Sequence, residues 1–210
     1  MIERDKARQL FERMYACIGF TTKDFKFYKE FKLKEQKSNL EEIQTELDNE
    51  KNYTNLFFDF DGTIVDTNSA IREQLNITPR EYYFGKEVSN EDQKKVIKNS
   101  KLTSLGEDLI ERINSGKIDK SKIKIITAHS TRKENIAKIL GVSKENVIIV
   151  TNPDIIKEYN LQGDVALDKA LVMSSFEGNN LFIDDLRTTI DAPVIQKIKG
   201  LKSIQYKEGF

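Results

Sequence analysis

Apolar residues recur at three- and four-residue spacing through the first fifty residues of the chain, a pattern that predicts amphipathic helices. The apolar positions of the first helix are Ala7, Leu10, Phe11, Met14, Tyr15 and Ile18. This helix ends at Gly19, and Thr22 caps a second, highly charged helix that breaks near Ser38 and Asn39. The apolar positions of the second helix are Phe25, Tyr28, Phe31, Leu40, Ile43 and Leu47.

The apolar stripes of these helices must be buried against another surface. Three partners are open: the first helix or the core of the same chain, the equivalent helices of a second copy in a homodimer, and the mouth of a functional site, over which the helices would act as a lid. Packing or dimerisation is favoured over a lid, because the next predicted strand begins at Leu56 and the connection to it is short.

From Tyr53 onward, short apolar strands alternate with helical segments, which predicts an α/β fold with a doubly wound parallel sheet. The predicted strands are Leu56–Asp59, Lys122–Thr127, Asn146–Thr151, Leu181–Asp184 and Lys202–Tyr206. The predicted helices of this region are Thr103–Ser115, Thr131–Leu140, Lys169–Phe176 and Arg187–Lys199. The last helix crosses Pro193, which lacks a backbone donor, so we expect a kink or a break there.

A short helical insert follows the first predicted strand. Its predicted helices are Ser69–Asn76, Thr78–Phe84 and Ser89–Asn99, with Ser89 as the N-cap. The insert, residues 68–101, is too short for a full-sized domain. We therefore divide the chain into a helical extension, residues 1–52, and an α/β core, residues 53–210, which carries the insert.

Polar groups follow three of the predicted strands at the point where each strand ends. Asp59 and Asp61 follow the first strand, and Thr127 ends the second. Asp184 and Asp185 end the strand that comes before the last one. Because the carboxyl ends of parallel strands form the edge at which open α/β sheets bind ligands, these side chains are expected to share one site.

The order of these residues along the chain resembles that of a known enzyme class. The segment Asp59–Thr63, DFDGT, is followed by Thr127, then by Lys169 at the start of a predicted helix, and then by the Asp184-Asp185 pair. This order resembles the haloacid dehalogenase superfamily of phosphohydrolases over Tyr53 to Tyr206. The resemblance implies that the Asp184 strand lies beside the Asp59 strand, with the Thr127 strand on its other side, and that little or no cap domain covers the site.

A phosphate monoester is an anion that resists attack by another anion, so its hydrolysis requires charge neutralisation and an aligned nucleophile. By the resemblance, Asp59 attacks phosphorus and forms an aspartyl-phosphate, while Asp61 acts as general acid and base. Thr127 would hold the phosphoryl oxygens, and Lys169 would keep Asp59 ionised.

The resemblance also implies a metal site. Mg²⁺ prefers a near-octahedral set of oxygen ligands that includes few protein carboxylates. Asp59, the backbone carbonyl of Asp61 and Asp184 are the implied ligands, with Asp185 in support. We therefore predict Mg²⁺ as the cofactor.

Each of these residues also has a simpler explanation. Thr127 lies close enough to the helix predicted from Thr131 to cap it, and Lys169 is one lysine among many, most of which are expected at the surface. His129, the single histidine of the chain, is left out of the catalytic set because a lone histidine is more often a local hydrogen-bonding residue.

The amino-acid composition disfavours only a few classes of binding partner. Lys plus Arg and Asp plus Glu both number 34, so no global charge attracts the chain to nucleic acid or to a membrane, and no segment has the length and apolarity of a membrane span. The single cysteine, Cys17, and an N-terminus without the character of an export signal indicate a cytoplasmic protein.

The expected partner is a phosphorylated substrate: a small metabolite, a nucleotide, or a nucleic-acid end that carries a 3′-phosphate. Two alternatives come from other classes. A phospho-accepting signalling domain of the receiver type uses similar residues, but it places the acidic pair first and the lysine last. A non-catalytic interaction protein built on the same fold is the other.

Overall fold

The computed structural model describes residues 39–84, 88–128 and 133–207, and these belong to one compact unit that spans residues 39–208. The predictions for the helices between Ala7 and Phe31, for His129 and for a helix that begins at Thr131 lie outside the described residues. In the part of the chain that is described, no helix is both long and apolar enough to cross a membrane.

The strands in the described residues are β1 (Asn55–Phe58), β2 (Val65–Asp66), β3 (Lys101–Leu102), β4 (Ile123–Thr127), β5 (Val147–Ile149), β6 (Asn180–Asp184) and β7 (Leu201–Gln205). Five of these strands form one sheet in the order β5-β4-β1-β6-β7, and every neighbouring pair is parallel. The predicted parallel α/β fold is therefore confirmed. The predicted position of the Asp59 strand, between the Thr127 strand and the Asp184 strand, is also confirmed.

The helices in the described residues are α1 (residues 39–48), α2 (Thr67–Leu75), α3 (Pro79–Phe84), α4 (Asn90–Asn99), α5 (Ser104–Asn114), α6 (Lys133–Leu140), α7 (Pro153–Tyr159), α8 (Val165–Ser174), α9 (Arg187–Ile190) and α10 (Pro193–Gln196). Single 3-10 turns occur at Glu50–Asn52 and Lys144–Asn146. The separation of α9 from α10 just before Pro193 confirms the predicted break. Ser89 caps α4 as predicted, because its hydroxyl accepts a hydrogen bond from the Asp92 backbone N–H.

The central strands place an apolar core on each face of the sheet, because successive side chains of a strand point in opposite directions. Leu56 and Phe58 of β1 lie in one core together with Ile183 of β6, whereas Phe57 and Phe182 lie in the other. Helices α1, α5 and α6 contribute to the first core, and α7, α8, α9 and α10 contribute to the second. Burial on both faces explains why these strands are continuously apolar in sequence.

Helix α1 belongs to the first of these cores. The side chains of Ile43 and Leu47 are buried there, and Leu40 packs against them. Burial of such aliphatic side chains stabilises the fold by about 1.5–3 kcal/mol each. The core of the same chain therefore receives the part of the apolar stripe that lies in α1. The division of the chain at residue 52 and the homodimer remain predictions.

The insert between β2 and β3 forms a thin helical layer. Its helices α2 and α4 surround a small cluster of buried side chains, Ala70, Ile71 and Val96. The Thr103 hydroxyl ties the base of the insert to the core, because it donates a hydrogen bond of 2.6 Å to the Thr63 carbonyl and accepts one of 3.0 Å from the Gly106 N–H. The insert is thus anchored at its base and has little apolar core of its own.

The predicted helix Lys169–Phe176 corresponds to α8, but α8 begins at Val165, so its predicted start was wrong. The Asp164 carboxylate accepts a hydrogen bond of 2.9 Å from the Leu167 N–H and caps the helix five residues before Lys169. Lys169 therefore lies inside the helix, where the backbone is fixed on both sides of it.

Candidate active site

The carboxyl ends of β1, β4 and β6 meet at one edge of the sheet, and the polar side chains predicted for a site lie there. Asp59, Thr127 and Asp184 are all buried, with exposed fractions of 6, 1 and 0 %. The Asp59 N–H donates a hydrogen bond of 2.9 Å to the Ile183 carbonyl, which holds Asp59 beside the end of β6.

The chain turns sharply after Asp59, and the turn depends on Gly62. Gly62 has a φ of +79°, a backbone conformation that residues other than glycine rarely adopt. A Cβ atom at this position would also lie 2.4 Å from Oδ2 of Asp185. Glycine is thus required both by the backbone and by the close approach of the second acidic strand end, and the turn brings Asp61 to the cleft.

Lys169 bridges the two buried carboxylates at the edge. Its ammonium donates hydrogen bonds of 2.7 Å to Oδ1 of Asp59 and 2.7 Å to Oδ2 of Asp184, and the lysine itself is only 2 % exposed. Burial by itself lowers the pKa of Lys169, but the two carboxylates outweigh burial, so the net pKa is raised and the ammonium stays charged.

The Asp184-Asp185 pair is held by backbone contacts on both sides. The second side-chain oxygen of Asp184 accepts a hydrogen bond of 2.8 Å from the Leu186 N–H. The Asp185 N–H donates one of 2.9 Å to the Thr63 hydroxyl, so the DFDGT turn and the acidic pair support each other. Burial, with a further contribution from the Asp184 charge, raises the pKa of Asp185 to about 7.

Three carboxylates at this edge are placed to hold a metal ion. Side-chain oxygens of Asp59, Asp184 and Asp185 all lie within 4.8 Å of one another. Oδ1 of Asp185 is buried, yet it accepts no hydrogen bond from the residues that the structure describes. Three carboxylates against the one ammonium of Lys169 also leave a surplus of negative charge. This surplus and burial raise the pKa of Asp59, against the opposing effect of Lys169, with burial as the largest cause.

These residues fit a hard divalent cation. An all-oxygen set of carboxylates suits Mg²⁺ or a similar ion, and a positive charge would satisfy the Asp185 oxygen and offset the surplus of negative charge. The side chain of Asp61 is not part of the three-carboxylate cluster. The role of the Asp61 backbone carbonyl as a metal ligand stays a prediction.

Thr127 and Asp61 both line the cleft that opens from the sheet edge. The Thr127 carbonyl accepts a hydrogen bond of 2.9 Å from the Val150 N–H, which extends the pairing of β4 with β5 and fixes the Thr127 backbone. Of the predicted site residues, the structure thus brings Asp59, Asp61, Thr127, Lys169 and Asp185 to the cleft, with Asp184 buried directly behind them.

Sequence analysis missed Asp168, which supports the loop before α8. Asp168 is 3 % exposed, and its two carboxylate oxygens accept hydrogen bonds of 2.7 Å from the Gln162 N–H and 3.0 Å from the Gly163 N–H. Gly163 lines the cleft. An acidic residue next to a predicted functional lysine was the available signal, but the incorrect helix start placed Asp168 at a helix N-terminus, where an acid needs no further explanation.

Sequence analysis also missed the polar wall that the insert adds to the cleft. We call this the insert wall, and its members are Asn68 and Arg72 of α2, Tyr82 of α3 and Gln93 of α4. The cleft is also lined by Leu186, Thr188 and Val194, from the loop after β6 and the short helices that follow. Because these positions depend on how short helices pack in three dimensions, no spacing in the sequence marked them.

The family comparison agrees with this geometry. Residues 56–152 match the family model of haloacid dehalogenase-like hydrolases. The matched segment contains β1, β4 and β5 with Asp59, Asp61 and Thr127, and Lys169 and the Asp184-Asp185 pair follow it in the chain. The segment that carries Asp59, Asp61 and Thr127 is therefore similar to haloacid dehalogenase-like hydrolases. No protein with a curated description matches the chain significantly.

Several solved structures are similar to the chain at low identity. A haloacid dehalogenase-like hydrolase from Streptococcus pneumoniae shares 16% identity with a TM-score of 0.41, over 73% of this chain and 84% of that one. A hydrolase of the same family from Deinococcus radiodurans, solved with bound phosphate and sodium, shares 10% identity with a TM-score of 0.38, over 72% of this chain and 80% of that one. A phosphoserine phosphohydrolase-like protein from Francisella tularensis shares 15% identity with a TM-score of 0.38, over 65% of this chain and 80% of that one.

Proposed function

We propose that this protein is a Mg²⁺-dependent phosphomonoester hydrolase that acts through an aspartyl-phosphate on Asp59. The observation that carries the proposal is the Lys169 bridge between Asp59 and Asp184 at the edge of an open cleft. A buried lysine that holds two carboxylates is an expensive arrangement for stability alone, because desolvation of the charges offsets much of their attraction. Placed at a ligand-binding sheet edge, it suits a site that receives an anionic phosphate.

In the first half of the reaction, Asp59 acts as the nucleophile. Lys169 favours the ionised carboxylate, and an Asp59 oxygen forms a bond to phosphorus while the bond between phosphorus and the leaving oxygen breaks. Asp61 gives its proton to the leaving oxygen, which departs as an alcohol. Thr127, at the end of β4, holds the phosphoryl oxygens during the transfer.

In the second half, the aspartyl-phosphate is hydrolysed. The carboxylate of Asp61, now without its proton, accepts a proton from a water molecule that attacks phosphorus. The bond between phosphorus and the Asp59 oxygen breaks, and inorganic phosphate leaves. Asp61 is protonated again, so the pair of carboxylates is ready for another substrate.

Asp59, Asp184, Asp185 and the backbone carbonyl of Asp61 would hold the Mg²⁺ ion. When bound, the ion supplies positive charge that offsets the negative charge of the phosphate and of the carboxylates. The substrate is a phosphorylated metabolite, a nucleotide or a 3′-phosphorylated nucleic-acid end, and the cytoplasm is the expected compartment.

The test is phosphate release from 4-nitrophenyl phosphate with Mg²⁺ and with excess chelator. We expect turnover only with Mg²⁺. We also expect Asp59→Asn to reduce turnover by roughly a thousandfold or more while the protein stays folded, because an amide of nearly equal size is a poor nucleophile. Asp191→Asn is the matched control, since Asp191 lines the same cleft but is exposed and pairs with Arg187.

Full activity in chelator would show that the metal assignment is wrong, and substantial activity of folded Asp59→Asn protein would show that the nucleophile is wrong. The time course separates this proposal from a receiver-type domain. A phosphatase releases many phosphates per protein molecule at a steady rate, whereas a receiver accepts about one phosphoryl group from a donor and then stops.

A further inference from the structure

Arg72, a cation of the insert wall, has no acidic partner in its own helix. Arg72 is exposed, lies in the last turn of α2 and lines the cleft together with Asp59 and Asp61. The positions three and four residues away in the helix are Asn68, Ser69, Leu75 and Asn76. None of these is acidic, so α2 offers no carboxylate at the spacing at which helical ion pairs form.

No ion pair in the described part of the chain includes Arg72. The other cation among the described cleft residues, Lys169, is fully engaged by Asp59 and Asp184 at 2.7 Å each. Lys169 thus serves the reaction centre, whereas Arg72 is exposed and lines the cleft outside any ion pair of the described residues.

The insert wall and the proton-transfer group of the site line the same cleft. The Tyr82 ring packs against the small cluster of the insert. Tyr82 lines the cleft together with Asp61, which hands a proton to the leaving group in the proposed mechanism. The part of the substrate that contacts the insert wall is accordingly the leaving group and not the phosphoryl group.

We propose that Arg72 binds a second anionic group, a carboxylate or a second phosphate, on the leaving-group side of the substrate. The inference rests on the proposed phosphohydrolase function and narrows its substrate class to phosphomonoesters that carry such a group. The guanidinium is planar and presents several N–H donors as a fork, which matches the two oxygens of a carboxylate or phosphate. Asn68, one turn before Arg72 on the same helix, adds an amide beside it.

A structural role for Arg72 makes a different prediction. A cation in the last turn of a helix interacts favourably with the helix dipole, and this interaction does not depend on the substrate. Lysine at the same position keeps this charge but loses the fork. The Arg72→Lys variant therefore separates the dipole role from binding of a second anionic group.

The experiment compares wild-type protein with Arg72→Gln, Arg72→Lys and the control Lys98→Gln on matched pairs of substrates. Lys98 is an exposed cation of the same insert that does not line the cleft. The first pair is 3-phosphoglycerate and glycerol 3-phosphate, which differ in a carboxylate. The second pair is fructose 1,6-bisphosphate and fructose 6-phosphate, which differ in a phosphate. 4-Nitrophenyl phosphate, which lacks a second anionic group, reports the chemistry alone.

We expect Arg72→Gln to raise KM for the doubly anionic member of one pair by roughly tenfold or more, as the loss of a charge-assisted hydrogen bond implies. The KM for its partner and for 4-nitrophenyl phosphate should change less than about twofold. Arg72→Lys should recover only part of the difference, and Lys98→Gln should resemble wild type. The pair that responds identifies the second group as a carboxylate or a phosphate.

The inference would be overturned if Arg72→Gln changed KM equally for both members of each pair, or changed it for none of the substrates. Hydrolysis of 4-nitrophenyl phosphate by the same protein would still support the proposed function. Absence of hydrolysis of every substrate by wild type with Mg²⁺ would overturn the proposed function and the inference with it. Calorimetric binding of the pairs to Asp59→Asn protein, which holds substrate without turnover, gives the same comparison as a difference in Kd. Equal affinities there would also count against Arg72.

Discussion

The sheet edge and the insert wall face the same cleft but are built in opposite ways. At the sheet edge, Asp59, Lys169 and Asp184 are almost fully buried, joined by short ion pairs and fixed between two large apolar cores. The insert wall stands on a small cluster of buried side chains, and its Arg72 is exposed. Catalytic groups must be held within fractions of an ångström, and the buried, ion-paired sheet edge provides that rigidity. Residues that determine substrate specificity tolerate the less rigid support of the insert wall.

The difference also concerns stability. Loss of a buried charge partner at the sheet edge leaves the remaining charges without compensation, which costs several kcal/mol. Loss of a side chain on the insert wall removes contacts with ligand and little else. Mutations at the edge should therefore change chemistry and folding together, and mutations in the insert should change substrate binding with modest effects on folding.

Lys169→Met is expected to have the largest effect. Methionine is similar in length but uncharged, so Asp59 and Asp184 face each other without a cation. We expect activity to fall by roughly a hundredfold or more and the free energy of unfolding of the metal-free protein to fall by about 3–5 kcal/mol. Urea denaturation in chelator and in Mg²⁺ checks this, because a bound cation should restore part of the lost stability.

Lys124→Met is the matched control for this variant. Lys124 lies on β4 of the same sheet, and its ammonium donates hydrogen bonds to Asn146 and to the Ser121 carbonyl away from the cleft. We expect near wild-type activity from it. If Lys169→Met were as active as Lys124→Met, Lys169 would have no part in the reaction and the contrast between the two regions would fail.

A pair of core substitutions tests the contrast in stability directly. Ile183 of β6 and Ile71 of α2 are both 0 % exposed, but Ile183 lies in the first large core and Ile71 in the small cluster of the insert. We expect Ile183→Ala to lower the free energy of global unfolding by about 2–5 kcal/mol, as large-to-small changes in a packed core do. Ile71→Ala should instead loosen the insert locally, with a smaller global effect and a raised KM.

Urea denaturation, hydrogen exchange of the α2 and α4 amides, and steady-state kinetics measure the three quantities. An Ile71→Ala protein that loses as much global stability as Ile183→Ala would mean that the insert unfolds together with the sheet. Unchanged exchange in α2 and α4 would lead to the same conclusion.

Sequence analysis predicted the sheet edge well for a physical reason. Strands buried on both faces are continuously apolar, so the carboxylates Asp59 and Asp184 mark their ends. The order DFDGT, Thr127, Lys169 and the acidic pair then predicted which strands are neighbours. That prediction rested on the family resemblance, because spacing alone does not give strand order.

The insert wall could not be predicted in the same way. Arg72, Tyr82 and Gln93 lie on three different short helices, and they share a surface only because those helices pack around Ile71 and Val96. The start of α8 was predicted incorrectly for a local reason. The cap is Asp164, whose carboxylate accepts a hydrogen bond from the Leu167 N–H. The loop before the helix is held by Asp168, which lies inside the helix and accepts a hydrogen bond from the Gln162 N–H. Contacts between residues that are distant in sequence leave no periodic signal in the sequence. The same holds for a contact from a residue inside a helix back to the loop before it.

The smallest expected effect is the pH dependence of stability and of Mg²⁺ affinity. We expect this dependence to arise from the sheet edge and not from the insert wall. In the metal-free protein, burial raises the pKa of Asp185 to about 7, above its unfolded value of about 3.9. The folded state therefore binds more protons than the unfolded state between these two values, so the stability of the metal-free protein should fall as pH rises through this window. Mg²⁺ requires the ionised carboxylate, so its affinity should rise by about tenfold from pH 6 to pH 8.

Thermal denaturation in chelator and Mg²⁺ titration by calorimetry at several pH values measure both trends. Asp185→Asn should bind Mg²⁺ more weakly at pH 8 and show a smaller increase in affinity with pH, because one titrating ligand is gone. Arg72→Gln should keep the wild-type pH dependence, since Arg72 is not among the carboxylates proposed to hold the ion. A Mg²⁺ affinity that does not change between pH 6 and pH 8 would contradict the placement of Asp185 among the ligands. A change in that dependence caused by Arg72→Gln would mean that the insert wall and the sheet edge act as one electrostatic unit.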